Sequence, residues 1–207
     1  MIEDLRLCIY TALARTGRMP ARAELLAVAG GHRELADALA QLAAARHLAL
    51  DRGEVVLAHP FATRSFGFSV MSEGTLWWGG CAWDAFAIPH LTGTDALVAT
   101  RCPTCGRALA WVIDRTAPPE GPEVAYFVVP VAEMWNDVVH TCANQRLYCS
   151  DACAPIGEGA RLDLATLWRL AAHWYEGRLD PGYQRRDPTT AAAYFRSVGL
   201  HGSFWGL

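Results

Sequence analysis

No run of apolar residues in this chain reaches the roughly 18 that a membrane-spanning helix needs, so no helical span is expected. There is no basic excess either. Eighteen basic side chains stand against 21 acidic ones, a formal net charge of −3, which argues against a nucleic-acid partner. The opening residues, Met1-Ile2-Glu3-Asp4-Leu5-Arg6, are acidic and mixed. They do not read as a secretory signal, and the cytoplasm is the expected compartment. A complete disulfide framework is missing as well, because the cysteines number seven. In a reducing compartment they read as thiols, metal ligands or catalytic groups. No internal repeat or low-complexity tract is present. What the chain does have is 207 residues with a hydrophobic fraction of 52%, enough to bury one large core or two small ones.

The first 63 residues read as three helices and a hairpin. Leu5, Cys8, Ile9, Ala12 and Leu13 recur at helical spacing, and Gly17 to Pro20 interrupts them. A short helix over 21–28 ends at Gly30-Gly31. A third, over 32–47, lines up Leu35, Leu39, Leu42 and Ala43. Two short strands flank the turn Asp51-Arg52-Gly53. This order matches a winged helix-turn-helix, so DNA binding is one reading and a packing or lid role is the other. The third helix, Arg33-Glu-Leu-Ala-Asp-Ala-Leu-Ala-Gln41, is rich in alanine where a base reader would show Arg, Lys, Asn or Gln. DNA is therefore not the expected partner.

Beyond residue 63 glycine, tryptophan and cysteine take over. Strands are expected at 66–70, 75–78, 95–100, 108–113, 124–129 and 146–149. Helices are expected at 130–139, 162–175 and 189–198, and the apolar tail from Gly199 to Trp205 is expected to dock on the body. In the middle lies Trp77-Trp-Gly-Gly-Cys81-Ala-Trp-Asp84-Ala-Phe-Ala-Ile-Pro89. Gly79-Gly80 suits a turn into a helix. Cys81 and Asp84 then share a face at the helix start, where the helix dipole is expected to lower the thiol pKa. A nucleophile or soft-metal ligand beside a proton donor is one reading of this pair, and plain core the other. The same two readings hold for Trp77, Trp78, Trp83 and Phe86, as pocket walls or as core.

The remaining cysteines divide by spacing. Cys102-Pro-Thr-Cys105-Gly is a zinc-knuckle sequence on a hairpin turn, and Cys149-Ser-Asp-Ala-Cys153 offers a second ligand pair. Together they predict a structural zinc site of four thiolates. Cys8 reads as core. Cys81 and Cys142 remain, two soft ligands with a carboxylate beside the first. That set suits a thiophilic metal such as Hg(II), with Asp84 able to deliver a proton.

On these residues the chain resembles the organomercurial (alkylmercury) lyase family. Cys81-Ala-Trp-Asp84 with Phe86-Ala-Ile-Pro89 is followed by Cys102, and then by Cys142 after Asp137-Val-Val139. The resemblance implies Cys81, Asp84 and Cys142 as the catalytic trio, with mercury held by Cys81 and Cys142, and Cys102 as a structural cysteine. It implies an α+β chain, a winged-helix-like part over 1–63 and a mixed-sheet, alkylmercury-lyase-like core over 64–207. It also implies protonolysis of a carbon–mercury bond to a hydrocarbon and Hg(II), no organic cofactor, and cellular thiols as product acceptors. The zinc set Cys102, Cys105, Cys149 and Cys153 departs from the best-known members and marks a divergent branch. Two other readings stay open: a related fold handling a soft metal or a non-mercury substrate, and a metal-sensing winged-helix regulator.

Overall fold

The computed structural model describes residues 2–207. Helices α1 (Ile2–Thr16), α2 (Arg22–Ala29) and α3 (His32–Ala44) pack together through Leu5, Ile9, Leu13, Leu25, Leu35 and Leu42. The end of α3 is a Schellman turn, with His47 N–H donating to Leu42 O and Arg46 N–H to Ala43 O. Arg46 takes the left-handed position, φ +60°, where glycine is usual.

Strands β1 (Ala49–Asp51) and β2 (Glu54–Ala58) form the hairpin expected from the turn. They then continue through β3 (Phe61–Ala62) into the core, so one sheet runs across residue 63. With β4 (Phe68–Ser72), β5 (Thr75–Gly79), β6 (Ala96–Arg101) and β7 (Ala108–Ile113) the spatial order is β1-β2-β3-β5-β4-β6-β7. Its pairs are antiparallel throughout, more uniform than a mixed sheet. A second sheet, in the order β10-β8-β9, joins β8 (Val124–Phe127) to β9 (Arg146–Tyr148) and β10 (Ala160–Asp163). The α+β class expected from the sequence is what forms.

Helix α4 (Ala82–Thr92) is the centre of the core. Every residue from Ala82 to Pro89 is buried. Asp84 apart, its buried stretch is apolar all round, as suits a helix covered on all sides, and α6 (Leu164–Ala172) packs on it. Close approach of α4 to β5 explains the two glycines before it. A Cβ on Gly79 would lie 2.8 Å from Ala85 Cα, and one on Gly80 would lie 2.6 Å from Asp84 Oδ2.

Two expected helices shift. Residues 131–136 form turns, and the helix there is α5 (Val138–Asn144), because Asp137 caps its start by accepting from His140 N–H at 2.9 Å. Leu162 belongs to β10, and α6 starts at Leu164 under the Asp163 cap and stops at Ala172. The helix expected near 189–198 is α7 (Pro188–Ser197), capped by Asp187. The tail docks, with Trp205 buried and Val131 N–H donating to Phe204 O.

A polar clasp closes the molecule. The buried Arg6 donates from Nη1 to Arg178 O and from Nη2 to Asp180 O, each at 2.7 Å, and Glu3 accepts from Gly182 N–H at 2.8 Å. Its pairing with Arg6 holds the Glu3 carboxyl down at about 2.

Candidate active site

Cys81 is the N-cap of α4, extended in backbone, and its Sγ accepts the Asp84 N–H at 3.4 Å. The cap holds thiol and carboxylate on the same side of the first turn. Cys142, near the end of α5, comes to the same place. Its thiol points at Asp84 Oδ2 from 3.9 Å and is hydrogen-bonded to the Cys81 thiol. The segments are tied directly as well, since Ala82 N–H donates to Gln145 O at 3.0 Å. Cys81, Asp84 and Cys142, separated by up to 61 positions, thus converge in one buried cluster.

Two further groups seize the carboxylate that sequence reasoning missed. His59 Nδ1 lies 3.0 Å from Asp84 Oδ2, and the Tyr175 hydroxyl donates to Asp84 Oδ1 at 2.6 Å. Both are buried. His59 is 25 residues before Asp84 and Tyr175 is 91 after it, so no local spacing signals either. His59, Asp84 and Cys142 also place one ligand atom each within 4.8 Å of one another, close enough to share a metal ion.

The thiols are not acidified. Burial pushes Cys81 well up, and its bond to Cys142 and the Asp84 charge add to the rise, against a small pull from the Asp84 N–H. For Cys142 the bond with Cys81 pulls down, but burial and the Asp84 carboxylate outweigh it and leave it raised. The lowered pKa expected of a thiol at a helix start is therefore overturned by desolvation and a like charge. Burial, followed by the Asp84 charge, also holds the Tyr175 hydroxyl well up, so it stays a donor.

The cluster opens on a cavity of about 470 Å³. Of the aromatics singled out in the sequence only Trp83 lines it. Trp77 instead donates to Leu13 O in α1 at 2.9 Å, and Phe86 packs against Trp111 in the core. The other aromatic walls are Trp135, Trp174, Tyr175, Phe195 and Trp205, from the second half of the chain.

The second cysteine set lies apart, at the turn between β6 and β7. The sulfurs of Cys102, Cys105, Cys149 and Cys153 all fall within 4.8 Å of one another, with Cys105–Cys149 at 3.5 Å and Cys149–Cys153 at 3.4 Å. Four thiolates about 2.3 Å from one tetrahedral ion would be about 3.8 Å apart, so the set fits a metal ion. Burial pushes the Cys102 thiol up, but N–H groups of Cys149, Cys105 and Thr104 outweigh it and bring it down to about 6. Cys149 is pushed up to about 12, because its thiol bonds to Cys153 and Cys105 favour the protonated form. Cys8 is not core as expected. It is half-buried between α1 and α2, with its thiol 3.7 Å from the Glu24 carboxylate.

No curated protein sequence matches the chain significantly. A crystal structure titled as the mercury-bound form of MerB2 superposes with a TM-score of 0.65 at 15% identity, covering 86% of this chain and 91% of that one. The sequence profile of the alkylmercury lyase family matches residues 61–176, a stretch that holds Cys81, Asp84 and Cys142 and more than half of the chain. On that match, the chain belongs to the alkylmercury lyase family.

Proposed function

We propose that this chain cleaves carbon–mercury bonds by protonolysis, with Cys81 and Cys142 holding mercury and Asp84 moving the proton. The observation that carries this reading is the convergence of two buried thiols on one carboxylate at the floor of a cavity. The raised thiols fit it. They stay protonated until the organomercurial arrives, and Asp84, which the Cys142 thiol faces at 3.9 Å, is the acceptor for the proton of the second thiol to bind.

The steps balance. One thiol's thiolate binds R–Hg⁺, and its proton leaves on the displaced ligand that brought the mercury. The second thiol passes its proton to Asp84 and its thiolate joins the same mercury. The carbon–mercury electron pair then takes that proton from Asp84, forming R–H. Hg(II) remains on two thiolates and Asp84 is again a carboxylate. Cellular thiols remove the ion by exchange. His59 and Tyr175 act as positioning residues, fixing both carboxylate oxygens so that one faces Cys142. The four-cysteine set is read as a structural zinc site that joins the β6–β7 turn to the segment after β9. It supplies no chemistry to the reaction.

The first 63 residues are read as a winged-helix-like unit used as a wall, in a cytoplasmic protein. Arg46 lines the cavity, and on the exposed side of α3 Arg33 faces Asp37 at 3.9 Å. The deciding experiment is a single turnover with phenylmercury and excess thiol, on wild type and Cys81→Ser. Benzene from wild type and none from the variant is expected. No benzene from folded wild type would overturn the reading.

A further inference from the structure

The cavity above the thiols has an uneven charge. Arg46, Arg178, Arg185 and Arg186 line it, and its single acidic side chain is Asp84 at the floor. Among the described residues none of the four arginines is paired with a carboxylate. Arg178 is 3% exposed, and its nearest companions are tyrosines. It donates to Tyr10 OH at 2.8 Å and lies 5.0 Å and 4.9 Å from the Tyr175 and Tyr183 rings, while its buried Nε has no partner. Arg185 and Arg46 sit over one indole, Trp135, at 4.8 Å and 5.9 Å. Burial first, and then the like charges of Arg178 and Arg46, pull Arg185 below the usual arginine range against an opposing pull from Tyr175 and Tyr183.

The tyrosines favour the Arg178 cation, but among the described residues no carboxylate side chain offsets the like charges gathered beside it. A guanidinium fork matches a carboxylate with two parallel hydrogen bonds. Arg46 is also held at φ +60°, a position that an arginine occupies at a conformational cost and a glycine does not. All four residues fall outside 61–176, the stretch matched to the family.

We propose that this cavity selects mercury compounds that carry a carboxylate. The carboxylate belongs either to the organic group or to the thiol that delivers the mercury, and the arginines at 46, 178 and 185 receive it. This rests on the lyase reading, because the anion is placed relative to mercury on Cys81 and Cys142.

The test compares kcat/KM for phenylmercury and 4-carboxyphenylmercury, each presented with 2-mercaptoethanol or with 3-mercaptopropionate. At least a tenfold advantage for the carboxylated mercurial assigns the anion to the organic group. The same advantage for phenylmercury only with 3-mercaptopropionate assigns it to the thiol. Arg185→Gln and Arg46→Gly are expected to shrink whichever advantage is found to less than threefold. The glycine suits the turn, so Arg46→Gly should melt no lower than wild type. Cleavage of both mercurials at equal rates with both thiols overturns the proposal and leaves the lyase reading standing. If neither is cleaved, the lyase reading fails, and calorimetry with benzoate and benzamide decides the anion site alone. Benzoate binding at least tenfold tighter than benzamide, and lost in Arg185→Gln, supports it; equal binding overturns it.

Discussion

Two groups of cysteines in this chain have been given opposite chemistry by their surroundings. Cys102, Cys105, Cys149 and Cys153 stand on turns, four sulfurs face one another, and backbone N–H groups favour a thiolate at Cys102. Such a set closes round an ion and leaves no coordination position free. Cys81 and Cys142 lie inside the core, two sulfurs beside a carboxylate, with burial and charge both opposing ionisation. Their site keeps an open side toward the cavity. Ligand type is the same in both. Sulfur count, the neighbouring acid and access decide which set suits keeping a metal and which suits releasing one.

The sharpest way to break the contrast is to turn the reactive pair into a mere holder. Asp84→Asn keeps both thiols but removes the proposed proton carrier. One equivalent of phenylmercury should still bind, while benzene release in a single turnover falls by about 10³-fold, within the range general acid catalysis supplies. Unchanged benzene release would take Asp84 out of the mechanism. Next in size is the opposite cluster. Cys149→Ser should lose the bound metal ion by elemental analysis and lower unfolding free energy by a few kcal/mol. The fraction that stays folded should still cleave phenylmercury. A variant with full stability would show that the four-sulfur set does not hold the fold together.

The smallest effect tests the electrostatics alone. Iodoacetamide reacts with thiolate, and both reactive thiols are raised, so alkylation of Cys81 should be slower at pH 7 than that of a free thiol. It should climb as pH passes the ordinary thiol range. In Asp84→Asn a like charge is gone, the thiolate is less disfavoured, and alkylation at any given pH should be several-fold faster. Equal rates in both proteins would mean that burial acts alone.

Much of this was legible in the sequence, because thiol chemistry leaves few options. Cys102-Pro-Thr-Cys105 with Cys149 and Cys153 announces four ligands, and Cys81 with Asp84 is held by one helix turn. Cys142 was reachable by elimination and by its place in the family resemblance. The groups around Asp84 were not. His59 follows β2, and Tyr175 lies past the end of α6. Each is a single residue brought in by packing, with no periodic or paired signal. Local aromatic richness misled for the same reason: Trp77 and Phe86 adjoin the motif in sequence, but strand and helix geometry turn them toward α1 and Trp111. The start of α5 was misplaced because apolar content over 130–139 says nothing about where Asp137 caps.

The clasp between Glu3, Arg6 and residues 178–182 has a consequence for the order in which the protein is made. Arg6 leaves the ribosome 172 residues before the Arg178 carbonyl it binds. At common synthesis rates that is a delay of roughly ten to thirty seconds. Throughout it Arg6 has only Glu3, on its own helix, as a partner, and Cys81 and Cys142 emerge before Arg178 and α7 arrive to finish the walls around them. A nascent chain in a mercury-exposed cell therefore offers these thiols open to solvent for seconds before the finished molecule restricts access to them.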